Sequence, residues 1–262
     1  MIVVDKLCYG SKLRYVSPYE KFAFAMLTLI FCIVSRSIVL GLFVMAVNYY
    51  LTVVKGGIAS RRYNKLMLIP LTFLILSTIA IIVNFSRTPL DAFALPIGSI
   101  YITGSWASIL HGVQLIVTAM AAVSCLYFLS LNTTMTDILS VLEGMKCPTL
   151  IVELMMLIYR FIFVLMDTAS SISTSQSSRL GHKDFKTSLK SFSALVQTLF
   201  VRSMKRSSLL YDAMEARCYD GQVKVIKESH KYSKKNVIMI VVFELILLAY
   251  TICFKQGIIN LI

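Results

Sequence analysis

Residues 148–181, PTLIVELMMLIYRFIFVLMDTASSISTSQSSRLG, and residues 187–221, TSLKSFSALVQTLFVRSMKRSSLLYDAMEARCYDG, decide how the chain is read. In the first stretch apolar residues recur at Leu150, Ile151, Leu154, Met155, Ile158, Phe161, Ile162, Leu165, Met166, Ala169 and Ile172, the 3-4-3 spacing of one helix face. Pro148 suits the first helical position, where its missing N–H would be unpaired anyway. The second stretch starts near Thr187 or Ser188. Its stripe is Leu189, Phe192, Val196, Leu199, Phe200, Leu210, Ala213 and Met214, with Lys186, Lys190, Arg202, Lys205 and Arg206 off it. Each helix is too polar along one face to be an ordinary span and too apolar along the other to be a solvated loop. Each ends in an arginine, Arg179 before Gly181 and Arg217 before Gly221, with Gly181 expected as the left-handed C′ stop.

Working outward, apolar segments flank this pair on both sides. Phe22 to Val34 and Ile38 to Val54 are read as two spans, because one continuous helix would bury Arg36 in hydrocarbon at about 2.5 to 3.5 kcal/mol. Gly56 to Lys65 reads as a basic loop, Leu66 to Phe85 as the third span, and Ser86 to Ala107 as an outer loop or hairpin. Ser108 to Leu131 is the fourth span and Asn236 to Phe254 the fifth. A short helix is expected from Thr133 to Gly144. With 57% hydrophobic and 15% charged residues the chain is too apolar for a soluble domain. All but three of its 26 Lys and Arg (Arg36, Arg87 and Lys255) fall on one side of this alternation. The positive-inside rule then places the N-terminus and the 148–221 region in the cytoplasm and the C-terminus outside. It also accounts for the net charge of +13 without nucleic acid.

The fold class expected is an all-α integral membrane protein with about five transmembrane helices and long cytoplasmic coupling helices. Its parts are a four-span membrane domain (residues 1–132), a coupling-helix region (133–235) and a C-terminal span (236–262). The six cysteines lack a Cys-x-x-Cys pair and read as small apolar fillers. His111, His182 and His230 form no ligand-spaced cluster, so neither a metal site nor a cofactor is expected. No phosphate loop, His-Glu-x-x-His, Gly-x-Ser-x-Gly or paired-carboxylate site is present, which argues against an enzyme. Glu244, an acid within a span, reads as an interhelical hydrogen bond or a partner contact.

The run Leu199-Phe200-Val201-Arg202-Ser203, Arg206-Ser207 and Tyr211-Asp212-Ala213-Met214-Glu215-Ala216-Arg217-Cys218-Tyr219-Asp220-Gly221 resembles the second signature region of the transmembrane T component of energy-coupling factor (ECF) transporters. Asp5-Lys6-Leu7, Ser17-Pro18-Tyr19-Glu20-Lys21, Leu131-Asn132-Thr133-Thr134 and Tyr159-Arg160-Phe161 resemble its cobalt-type (CbiQ) branch. The resemblance implies a non-catalytic, five-span plasma-membrane scaffold. It would link two ABC-type ATPase subunits to a substrate-binding membrane subunit for uptake of cobalt ion, with nickel or a vitamin as alternatives. It also implies two Ala-Arg-Gly motifs at the ends of the coupling helices, whose arginines enter grooves on the ATPases. Ser178-Arg179-Leu180 and Ala216-Arg217-Cys218 match these positions; Ser178 departs from Ala, and Leu180 and Cys218 from Gly. Outside this class stand a membrane enzyme and a stand-alone channel.

Overall fold

The hydrophobic runs become long helices whose ends are set by a few polar residues. The computed structural model describes residues 7–82, 84–86, 93–97, 100–104, 106–219 and 232–259. The apolar run starting at Phe22 is longer than its hydropathy indicates, because Pro18 opens helix α1 (Pro18–Ser35) one turn earlier. Arg36 ends α1 in the left-handed conformation, φ 47°, and α2 (Ile38–Tyr49) follows. The break expected at Arg36 is therefore present. A π-helical turn, Tyr50–Lys55, extends α2. Helix α3 (Ser60–Ile82) starts within the stretch expected as a basic loop, so Arg61, Arg62 and Lys65 lie on its first turns; Pro70 is inside it.

The segment expected as an outer loop or hairpin contains a small antiparallel sheet. Strands β1 (Asn84–Ser86), β2 (Phe93–Ile97) and β3 (Ile100–Gly104) take the order β1-β3-β2, with Phe85 and Leu95 both in register with Ile102. Then come α4 (Trp106–Asn132), α5 (Met135–Gly144), α6 (Thr149–Ser178), α7 (Phe185–Glu215) and α8 (Lys234–Ile259). Helix α7 starts slightly before the expected Thr187. The fold is that of an all-α integral membrane protein with a small β insert. Among the described residues five helical segments are long and apolar enough to cross a membrane: Pro18–Ser35, Ile38–Lys55, Ser108–Asn132, Thr149–Ser178 and Lys234–Cys253. This set differs from the expected spans at one member. It contains α6 and not α3, whose first turns are basic.

Two compact units divide the chain, Ile2–Thr134 with Ser229–Ile262, and Met135–Glu228. In the first, α4 is the axis, contacting α1, α2 and α3, while α8 lies on α1. Cys32, Leu40, Val44, Ala121, Cys125 and Leu247 form one core cluster; Phe24, Ala25, Phe128 and Leu129 form another. Gly41 lets α2 approach α4, since a Cβ there would stand 2.8 Å from Val117 Cγ1. Asn48, fully buried, donates to Ser124 Oγ at 3.0 Å.

The C-terminal end of α4 is closed by the leader. Lys21 Nζ donates to the carbonyls of Asn132 (2.9 Å), Leu13 (3.2 Å) and Arg14 (3.4 Å). Ser11 Oγ donates to Asn132 Oδ1 at 2.7 Å, and Asn132 Nδ2 donates to Phe128 O at 2.8 Å. Gly56 accepts from the Lys12 N–H at 3.0 Å, and a Cβ on it would stand 2.7 Å from Asn132 Oδ1. The ammonium complements the negative end of the α4 dipole, where the last carbonyls have no intrahelical partner.

Removing either feature is expected to loosen this junction. Lys21→Met leaves buried carbonyls unpaired and should cost about 2 to 3 kcal/mol. Gly56→Ala overpacks the contact and should cost about 1 to 3 kcal/mol. Unfolding midpoints of the purified chain in mild detergent measure both; unchanged midpoints would show that the junction contributes nothing to stability.

Candidate docking site

Helices α6 and α7 form an αα-hairpin within the second unit. Pro148 sits at the N-cap of α6, with ψ 131°, rather than at the expected first helical position. Of the residues of α6 only Val152 is buried, and α7 buries none of its 31 residues. The stripe on α7 is consequently open: Leu189 is 59% exposed, Phe192 61% and Phe200 65%. An amphipathic helix is stabilised by burying its apolar face, and isolated large apolar patches on proteins mark interaction surfaces.

The hydroxyl-rich end of α6 satisfies itself. Thr168, Ser171, Thr174, Ser177 and Ser178 each donate to the carbonyl four residues earlier, at 2.9 to 3.1 Å. The helix then closes in a Schellman motif. Leu180 N–H bonds to Ser177 O (3.0 Å) and Gly181 N–H to Gln176 O (2.8 Å), with Leu180 left-handed at φ 58°. The end of α7 repeats it. Cys218 N–H bonds to Glu215 O (2.9 Å) and Tyr219 N–H to Met214 O (3.1 Å), with Cys218 at φ 56°.

The structure thus gives Ser178-Arg179-Leu180 and Ala216-Arg217-Cys218 the same local geometry. In each an arginine stands immediately before a left-handed residue. Both arginines are exposed, and among the described residues neither guanidinium makes an ion pair or hydrogen bond. They stand at opposite ends of α7, on the order of 45 Å apart along its axis. The expectation that Gly181 is the left-handed stop is corrected: Leu180 is, and Gly181 follows it. Gly181 matters for another reason, since a Cβ there would lie 2.8 Å from Ser191 Oγ and from Gln176 O. Gly221 lies outside the described residues.

Sequence reasoning passed over the residues that fix these ends. Ser191 Oγ donates to Gly181 O and Gln176 Nε2 to Ser191 O, both at 2.8 Å, which fastens the turn between α6 and α7. Tyr219 OH donates to Glu153 Oε2 at 3.0 Å and ties the Arg217 end to the start of α6. The only prior signal for Tyr219 was its place in the signature run.

The other candidates lie elsewhere. Glu244, on α8 and buried, is 2.8 Å from Thr28 Oγ1 on α1 and forms an interhelical hydrogen bond, as its position in a span implied. His111 is exposed on α4. Cys8, Cys32 and Cys125 are buried fillers, whereas Cys218 and Cys253 are exposed. Among the described residues no group of three His, Cys, Asp or Glu side chains could hold a metal ion.

Comparison with known proteins adds an independent line. The sequence model of the family described as CbiQ, cobalt transport protein, matches residues 10–228. An uncharacterized protein of Methanocaldococcus jannaschii is 32% identical over 95% of this chain and 92% of its own length. The cobalt transport protein CbiQ of Salmonella typhimurium is 28% identical over 84% of this chain and 98% of its own. The energy-coupling factor transporter transmembrane protein EcfT of Ruminiclostridium cellulolyticum is 34% identical over 41% of this chain and 42% of its own.

The two helix ends carry backbone strain of about 1 to 2 kcal/mol each, because Leu and Cys have a Cβ in the left-handed region. Leu180→Gly and Cys218→Gly should each gain up to about 1 kcal/mol net of the greater freedom of Gly in the unfolded chain. The Gly181 and Tyr219 amides should then exchange with solvent more slowly. Gly181→Ala should speed exchange at the first site only. Faster exchange in the two Gly variants would refute this closure.

Proposed function

The chain belongs to the CbiQ family of cobalt transport proteins, and from that membership we propose that it is the transmembrane T subunit of an ATP-driven ECF-type uptake transporter for cobalt ion. It is a coupling scaffold without catalytic activity of its own. ATP hydrolysis belongs to two ABC-type ATPase subunits, and recognition of the metal belongs to a separate substrate-binding membrane subunit.

One observation carries the reading: the same arginine-bearing helix end occurs twice, at the two extremes of one long helix that buries nothing. Two equivalent points so far apart suit two ATPase copies rather than a single groove. Arg179 and Arg217 are the docking residues, flanked by Ser178, Leu180, Ala216 and Cys218. A guanidinium fits this task because its planar fork bonds several carboxylate or carbonyl oxygens at once, which an ammonium cannot reproduce. Closure of the ATPases on ATP displaces both helix ends. Helix α7 is a rigid strut, and Tyr219–Glu153 at one end with Ser191–Gly181 at the other passes its motion to α6. The chain lies in the plasma membrane with the N-terminus and the α6–α7 hairpin in the cytoplasm and the C-terminus outside, as the distribution of Lys and Arg favours.

Two measurements test this. Arg179→Glu and Arg217→Glu, made separately, should each cost about 2 to 5 kcal/mol in ATPase affinity, read by co-purification and by cobalt uptake. Wild-type uptake in both variants would sink the assignment of these sites. Uptake of nickel or a vitamin in place of cobalt would move the substrate and leave the scaffold intact. In a Ser173→Cys chain, residue 173 should react with a membrane-impermeant maleimide only from the cytoplasmic side, as read at that residue by peptide mass spectrometry.

A further inference from the structure

Between α6 and α7 lies a groove of about 610 Å³. Its floor is apolar and includes Phe161 and Leu165. Around it stand Arg160 from α6 and Arg202, Lys205 and Arg206 from α7, and no carboxylate lines it. Arg202, Lys205 and Arg206 are spaced i, i+3, i+4, so they share one face of α7 and repel one another. Among the described residues none of these four cations makes an ion pair or hydrogen bond. Among the described residues no carboxylate compensates these four cations around the apolar trough. The compensating occupant must be anionic at one end and hydrocarbon at the other.

We propose that this groove is a binding site for an anionic phospholipid, with its phosphate held by Arg160, Arg202, Lys205 and Arg206 and an acyl chain lying along Phe161 and Leu165. A free phosphate would neutralise the cations and leave the apolar floor wet. The volume is in the range of small-ligand sites, about 300 to 1,000 Å³, and smaller than a docked partner helix of several turns would fill. Basic pockets between helices at the cytoplasmic side of a membrane are suited to anionic headgroups, and arginine bonds phosphate oxygens bidentately. The helix supplying the floor, α6, contains a stretch apolar enough to lie against lipid. The site is separate from the arginine-bearing helix ends and adds lipid dependence to the proposed coupling role.

The full chain is reconstituted in phosphatidylcholine nanodiscs with and without phosphatidylglycerol, and retained lipid is counted by native mass spectrometry. Wild type should retain phosphatidylglycerol in preference to phosphatidylcholine. The variant Arg202→Gln/Lys205→Gln/Arg206→Gln should bind it about a hundredfold more weakly. The control Lys183→Gln/Lys186→Gln/Lys190→Gln, with the same loss of charge in the turn before α7 and on its first turns, should bind as wild type does. In a chain carrying Leu209→Cys, with maleimide labelling read at residue 209 by peptide mass spectrometry because Cys218 and Cys253 are also exposed, phosphatidylglycerol should shield the thiol and inorganic phosphate should not. The proposal is overturned if the groove variant keeps its lipid, if the control loses as much, or if phosphate alone reproduces the shielding. It is equally overturned if only a co-purified protein subunit shields the cysteine, which would make the groove a protein-docking surface.

Discussion

An ammonium that ends a helix organises the membrane-embedded unit. Lys21, 4% exposed, bonds to three backbone carbonyls, one of them at the last residue of α4. Carbonyls at a helix end have no partner of their own, and away from water each would cost free energy on the scale of a lost hydrogen bond. The cation meets that need from α1. The leader closes on the same point through Ser11, and the chain after α2 closes on it through Gly56, where no side chain would fit beside Asn132. The leader, α1 and the chain after α2 thus meet where α4 stops, more than 70 residues on in sequence. The axis of the unit cannot lengthen or slide without breaking all three contacts.

The helix ends of the second unit solve a related problem with different residues. Leu180 and Cys218 take left-handed conformations that favour glycine, yet the hydrogen bonds close in the same pattern at both. Helix α5 provides a comparison. It closes the same way, with Lys146 at φ 64°, Lys146 N–H on Glu143 O and Cys147 N–H on Leu142 O, but Met145 stands where the arginines stand at the other two ends. The closure is therefore not confined to the arginine-bearing ends. The cation held in front of the left-handed residue is what sets two of the three ends apart. Strain at such a position is tolerated when the surroundings over-determine it; at Leu180 they include Ser191 and Gln176, and at Cys218 they include Tyr219 bonded to Glu153.

Helix existence was legible because it rests on local periodicity, and the break at Arg36 because it rests on the cost of a charge in hydrocarbon. The positions of Arg179 and Arg217 at helix ends were legible for the same local reason. The identity of the left-handed residues was not. Glycine is the usual signal, and it pointed to Gly181, whose real constraint is a contact with Ser191 ten residues on. The Lys21–Asn132 bond spans 111 residues and leaves no trace in any window of sequence. Helix α3 starts earlier than its hydropathy indicates because Arg61, Arg62 and Lys65 carry the pattern of a loop, although long basic side chains are well tolerated on the first turns of a helix.

Hydropathy alone ranks α6 with the membrane spans, and its neighbour shows why that ranking does not settle where it lies. The turn joining α6 to α7 is fixed by Ser191 and Gln176, and Tyr219 returns the far end of α7 to Glu153 near the start of α6. The two helices therefore travel together along their length. Helix α7 and its cap carry Lys186, Lys190, Arg202, Lys205, Arg206 and Arg217. At about 2.5 to 3.5 kcal/mol per cation at the centre of a span, drawing α7 into hydrocarbon would cost on the order of 15 kcal/mol. No comparable gain offsets this, since the stripe on α7 is only one face. An α6 that entered the bilayer would have to leave α7 behind and break the contacts at both ends of the hairpin. Under the proposed coupling role the apolar surface of α6 is instead left for lipid or a partner to cover.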